Sequence, residues 1–171
     1  MLTRLSIANY ALIDHLEVNF SSGLTIITGE TGAGKSILLG ALGLILGNRA
    51  DTSALLNKSS KCVVEGEFDI AVYKLEKFFI SNDLDYDECT VIRREINPEG
   101  KSRAFVNDTP VTLPLLRELT SRLIDIHSQH ETLSLNDGRF QLNLLDIMAG
   151  NIRAAEIFSK RFHAWKELLK I

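Results

Sequence analysis

The sequence predicts an α/β fold, and three features carry that reading. A short β-branched run, Leu24 to Thr28 (LTIIT), leads through a glycine-rich loop into an apolar stretch, Lys35 to Leu46. Other segments alternate apolar and polar residues with a period of two, as at Leu16, Val18 and Phe20. The loop itself, Gly29 to Ser36 (GETGAGKS), meets the spacing G-x-x-x-x-G-K-S, which is that of a phosphate-binding P-loop.

The elements follow in chain order. Leu2, Leu5 and Ile7 suggest a first, less regular strand, and residues 15–20 a half-buried second one. Ser21, Ser22 and Gly23 form a turn. Leu24–Thr28 is apolar at successive positions, the pattern of a strand covered on both faces. Residues 35–46 are apolar almost all round and read as a buried helix, which Gly47 and Asn48 terminate. Val64, Phe68 and Ile70 keep period two around Gly66. A helix is expected near Val72–Ser81. Cys89–Ile96 and Arg103–Val106 form a hairpin through Asn97, Pro98, Glu99 and Gly100. Pro114 marks the start of another helix with Leu115, Leu116 and Leu119 on its apolar face. Leu123–His127 (LIDIH) reads as a short apolar strand before the polar stretch Ser128–Glu131.

The tail changes character. Ala155, Phe158, Phe162, Trp165 and Leu169 are spaced by three, four, three and four residues, as in a heptad repeat. An amphipathic helix packed on a domain would show the same pattern over so few turns. Because the pattern is still running at Ile171, the expected organisation is one domain over 1–147 and the truncated beginning of a coiled-coil helix over 148–171.

Composition narrows the function classes. The chain has 171 residues, room for one full core, and a net charge of −3, which argues against a domain coated in positive charge for nucleic acid. Arg93, Arg94, Lys101 and Arg103, and separately Lys58 and Lys61, read first as solvated surface and second as small basic patches. No apolar run reaches bilayer length, and Tyr10, Asp14 and His15 interrupt any signal-peptide pattern. With two isolated cysteines, Cys62 and Cys89, in no ligand spacing, a cytoplasmic protein without a membrane partner is expected.

The loop chemistry is specific. Glycines at 29, 32 and 34 let the segment Gly29, Glu30, Thr31, Gly32, Ala33 and Gly34 curl so that its N–H groups point at phosphate oxygens. The following helix adds its free N–H groups and partial positive charge. Lys35 is expected to reach the β- and γ-phosphates, Ser36 to bind Mg²⁺, and Ile37 to complete the cradle, making ATP and Mg²⁺ the expected cofactors. Hydrolysis also needs an acid at the end of an apolar strand. Neither Asp125 nor Asp146 has that setting, so an incomplete catalytic site is expected. The stretch HSQHE (127–131) lacks zinc-protease spacing, because Ser128 stands where the glutamate would be. Gln129 can instead touch Mg²⁺ and orient water without adding charge.

Four segments together resemble the RecN family of bacterial DNA double-strand-break repair ATPases, which are related to SMC proteins. These are LTRLSIANYALID, GETGAGKSILLGALGLILGNRAD, SRAFVNDTPV and LIDIHSQHE. The resemblance implies the N-terminal lobe of an ABC/SMC-type ATPase head, with a mixed β-subdomain and the start of a coiled-coil helix. It implies a Q-loop role for Gln129 and partners of three kinds: DNA ends, the same protein's C-terminal lobe, and a second head joined through ATP. That lobe would bring the acidic strand, and the second head its signature motif. A cytoplasmic, nucleoid-associated location follows from the same resemblance. Arg49 lies where such heads often present an arginine to nucleotide or DNA. Ser128 replaces the family's usual glycine, and Asp108 and Thr109 its usual Gly-Arg. The alternatives are another SMC-like or RecF-like ATPase head and, from a different class, a small P-loop kinase with an arginine-bearing lid.

Overall fold

The computed structural model describes residues 1–28, 34–50, 52–126 and 138–169. They belong to two compact units, Met1–Asp125 and Ile126–Ile171.

The first unit is built on one sheet. Its strands are β1 (Leu2–Tyr10), β2 (Ile13–Asn19), β3 (Cys62–Asp69), β4 (Cys89–Ile96), β5 (Ser102–Val106) and β6 (Thr109–Val111). They lie in the order β2-β1-β3-β4-β5-β6, and every described pairing is antiparallel. The β4–β5 turn is closed by the Asn97 N–H donating to the Lys101 carbonyl at 2.9 Å, with Gly100 at φ +84°. The β5–β6 turn has only Asn107 and Asp108 between paired residues, and both have positive φ (46° and 65°). Short polar side chains tolerate that conformation, so Asp108 fits the turn without a glycine there. The Asn107 side chain reinforces it, accepting from the Val91 N–H at 2.8 Å and donating to the Asp85 carbonyl at 2.9 Å.

Helices α1 (Gly34–Ile45), α2 (Glu76–Ser81) and α3 (Leu113–Thr120) complete the core of this unit. On β4 the inward residues are Thr90, Ile92, Arg94 and Ile96, which alternate with half-buried Val91, Arg93 and Glu95. Ile45 of α1 lies over Gly66 of β3. Phe79 of α2 is fully buried and meets Phe78 and Tyr86 edge-on, at 6.2 and 5.4 Å between ring centres.

The other face of the sheet is a lattice of ion pairs. Arg4 lies between Glu17 (3.3 Å), Glu65 (3.8 Å) and Glu67. Arg93 reaches Glu65 (3.7 Å), Glu95 (3.5 Å) and Asp108 (2.8 Å), and covers the Phe105 ring. Lys61 pairs with Glu95, and Lys101 with Glu99. The basic residues near the hairpin therefore form no single patch. Neighbours on a strand point to opposite faces, so Arg93 is neutralised outside while Arg94 enters the core.

Arg94 is 2% exposed. Its Nη2 donates to Ser102 Oγ at 3.0 Å, its Nε has no partner, and no carboxylate pairs with it among the described residues. Burial, and secondarily the nearby Arg117, lowers its affinity for the proton. Removing an unpaired buried charge in favour of a similarly shaped apolar group is neutral or stabilising. Arg94→Met is therefore expected to hold or raise the urea midpoint, by the equivalent of about 1 kcal/mol. A clear fall would mean that the guanidinium has a partner as strong as a carboxylate.

Three sequence expectations are corrected here. Leu24–Thr28 joins no strand ladder, and Leu24 and Ile26 are 87% and 74% exposed. An apolar run becomes a strand only where a neighbouring backbone accepts and donates its hydrogen bonds, and none does so here among the described residues. Leu123–Ile126 is not a strand either. The Leu123 and Ile124 N–H groups both donate back to the Thr120 carbonyl at 3.0 Å, which draws the run into a turn closing α3. His127 lies outside the described residues. Thirdly, α1 is not buried all round: its buried positions are Ala41, Gly43, Leu44 and Ile45, all in its second half.

In the second unit the tail is two helices, α4 (Gly138–Met148) and α5 (Ile152–Leu168). Gly150, at φ +70°, stops α4. Its N–H donates to Ile147 and the Asn151 N–H to Asp146, the 5→2 and 6→1 bonds of a Schellman end. Phe158 and Phe162, four residues apart on α5, stack at 5.7 Å, and Trp165 lies 5.6 Å from Phe162. Among the described residues no helix is long and apolar enough to cross a membrane.

Candidate functional site

Of the predicted phosphate-binding residues, Gly34, Lys35, Ser36 and Ile37 are consecutive in the first turn of α1. Gly34, Lys35 and Ser36 are exposed, and Ile37 is half-buried. Gly29, Glu30, Thr31, Gly32 and Ala33 lie outside the described residues, as does Gln129. The structure therefore brings together the Lys35–Ser36 part of the site and does not place Gln129 relative to it.

What is described fits a nucleotide phosphate. The first turn of α1 carries no acidic side chain, so nothing there opposes an anion approaching the free N–H groups. A Cβ on Gly34 would meet no described atom within 4 Å, so no packing among the described residues calls for a glycine there. No group of three or more His, Cys, Asp or Glu side chains stands ready for a metal among the described residues. A serine hydroxyl such as that of Ser36 is an oxygen donor of the kind a phosphate-borne Mg²⁺ accepts among its ligands. Arg49 is exposed just beyond the end of α1.

The far half of α1 is held by close packing. Tyr10 presses on Gly40, where an added Cβ would lie 2.6 Å from the phenol oxygen. Ile45 sits over Gly66, where an added Cβ would meet Cδ1 at 2.8 Å. The helix ends at Gly47, φ +90°, with the Gly47 N–H bonding the Leu44 carbonyl and the Asn48 N–H bonding Gly43. Arg117 of α3 lies across Gly47 and donates from Nε to its carbonyl at 2.8 Å. Of these supports only the stop at Gly47 and Asn48 is read from the sequence; the contacts of Tyr10, Ile45 and Arg117 are not. For those, Gly40 and Gly43 hold a signal: glycine inside a helix costs about 1 kcal/mol against alanine, so two of them imply a packing reason.

Comparison with known proteins places this geometry in a family. A family model described as an AAA domain matches residues 4–171. The DNA repair protein RecN of Xylella fastidiosa (strain Temecula1) is 37% identical over 170 residues, which is 99% of this chain and 30% of that protein. RecN of Vibrio cholerae is 38% identical over 98% of the chain, and RecN of Bacillus subtilis 38% identical over 99%; each is covered to 30% of its length. The chain thus spans about 30% of the length of these curated relatives. Among solved structures, an Smc head bound to the C-terminal winged-helix domain of ScpA superposes with a TM-score of 0.59 at 21% identity, covering 75% of this chain and 42% of that one. A chain from a study of ATP-driven dimerisation and DNA-stimulated activation of SMC ATPases gives 0.56 at 20% identity, covering 84% of this chain and 96% of that one. The recombination mediator RecF gives 0.52 at 18% identity, covering 68% of this chain and 29% of that one. The fold is that of these SMC and RecF structures, the chain resembles RecN proteins over about 30% of their length, and it belongs to the AAA-domain family.

Proposed function

We propose that this chain is the N-terminal part of a RecN-like DNA repair and recombination ATPase. The whole protein binds ATP with Mg²⁺ and couples engagement of two heads to the tethering of broken DNA ends. The observation that carries the reading is the start of α1, where GETGAGKS ends in exposed Lys35 and Ser36 with no acid in the turn. When bound, the nucleotide supplies the phosphate anhydride whose hydrolysis drives the cycle. Lys35 neutralises and orients the β- and γ-phosphates, Ser36 ligates the magnesium, and Gln129 reports the γ-phosphate to the rest of the head. Residues 1–147 form this lobe and 148–171 the beginning of the coil, for which the exposed Phe158–Phe162–Trp165 stripe on α5 is suited.

The catalytic acid and the signature motif come from outside this chain: the acid from the same protein's C-terminal lobe, the motif from a second head. Exposed Leu24 and Ile26, immediately before the loop, are the surface that lobe covers. DNA is engaged elsewhere than on the charged face of the sheet, whose arginines at 4 and 93 are already paired with carboxylates. The protein works in the cytoplasm, associated with the nucleoid. A RecF-like head shares the fold but not the run of RecN relatives. A small kinase would need a lid of free arginines, whereas Arg93 is ion-paired and Arg94 buried.

The test is binding against turnover on purified 1–171. Mg·ATP should bind measurably by calorimetry while phosphate release stays at background. Robust turnover would overturn the split-site reading, and absence of nucleotide binding would overturn the site itself.

A further inference from the structure

The helix that begins in the phosphate loop is fastened mainly at its other end. Its buried residues are confined to positions 41–45, and its first three residues are exposed. With 12 residues it is a lever of about 18 Å, so tilting its fastened end by about 5° moves its start by roughly 1.5 Å. Displacements of about 1 Å are enough to spoil phosphate geometry. Whatever fixes the end of α1 therefore sets the position of Lys35 and Ser36.

Arg117 is the polar part of that fastening. Its Nε donates to the Gly47 carbonyl at 2.8 Å, and its stem lies so close over Gly47 that an added Cβ would meet Cγ at 2.5 Å. One turn on, the buried Thr120 hydroxyl, whose nearest acceptor is the Leu116 carbonyl at 2.9 Å, also lies 3.4 Å from the Leu46 carbonyl. The Leu46 carbonyl is among those an α-helix leaves unsatisfied at its end, Gly47 is the residue just beyond it, and a cation there is also favoured by the dipole. The same α3 passes directly into 121–124, whose N–H groups bond back to Arg117, Leu119 and Thr120. One short helix thus grips the end of α1 on one side and shapes residues 121–124 on the other.

We infer that Arg117 is a positioning residue: its bond to the Gly47 carbonyl joins the phosphate-loop helix to α3, so that nucleotide binding at the start of α1 steadies residues 121–124. The inference rests on the nucleotide-binding reading above. Arg117 touches no nucleotide; it acts through Gly47.

Hydrogen–deuterium exchange of purified 1–171, with and without Mg·ADP, tests it. The wild-type chain should bind Mg·ADP and slow exchange at Ser121–Ile124 by about fivefold or more. Arg117→Met should lose that nucleotide-dependent slowing and bind Mg·ADP several-fold more weakly. Arg117→Lys should behave like methionine, since lysine keeps the charge but has carbon where Nε donates. A merely structural role would raise exchange equally with and without nucleotide. Wild-type binding without slowing at 121–124 would overturn the inference alone, even if neither variant folded. Slowing that survives in Arg117→Met, or is restored in Arg117→Lys, would also overturn it. Failure of the wild type to bind Mg·ADP would instead overturn the nucleotide-binding reading.

Discussion

Lys35→Ala should weaken Mg·ATP binding on the order of a hundredfold, the equivalent of about 3 kcal/mol for a charge-assisted hydrogen bond to an anion. Lys35 is exposed in the first turn of α1, which carries no carboxylate, so an arriving phosphate meets one ammonium and the helix's own partial positive charge. The backbone N–H groups remain in the variant and keep some affinity, but they cannot follow a γ-phosphate as a flexible side chain does. Lys35→Arg should also bind poorly, because a planar fork does not replace a compact point charge. Lys35 lies outside the core, so neither change should move the unfolding midpoint by more than about 0.5 kcal/mol. Calorimetric titration with Mg·ATP, paired with a urea curve, separates the two effects. Unchanged affinity in a folded Lys35→Ala chain would remove this residue from phosphate binding.

How much of this was legible in the sequence depends on how local the physics is. The phosphate-loop pattern stands out because the residues it calls for occupy eight consecutive positions, and the helix stop at Gly47 could be read because one glycine and its neighbour make it. The sheet was readable wherever alternation was clean, as at Leu16, Val18 and Phe20. Arg94 shows the rule neglected: it shares a face with Ile92 and Ile96, so period two already set it apart from Arg93. Leu24–Thr28 and Leu123–Ile126 show the opposite failure. Both have a strand's composition, but composition does not supply a partner backbone, and the second is captured by the nearby Thr120 carbonyl. The grip of Arg117 on Gly47 spans 70 residues of sequence and left no trace in either segment alone.

Gly66→Val should cost about 3 kcal/mol and lower the thermal midpoint of the Met1–Asp125 unit by roughly 10 °C. The change looks favourable by strand propensity, since valine suits a pleated, half-buried surface and glycine does not. Packing reverses the sign. A Cβ at 66 would lie 2.8 Å from Ile45 Cδ1, 3.0 Å from Phe68 Cε2 and 3.3 Å from Leu2 Cδ1, and valine adds two methyl groups beyond it. Phe68 and Ile45 are fully buried and have nowhere to retreat, and Gly66 pairs with Leu5 and Ile92 in the middle of the sheet. The relief available is for α1 to lift off β3. That converts a core substitution into a functional one, because the helix that lifts is the helix whose first turn carries Lys35 and Ser36. Gly66→Val should therefore lower Mg·ATP affinity even at temperatures where the variant is folded, whereas Phe79→Ala, of similar or larger stability cost but at a ring that meets Phe78 and Tyr86, should not. Equal affinities in the two folded variants would show that α1 keeps its seat without the glycine.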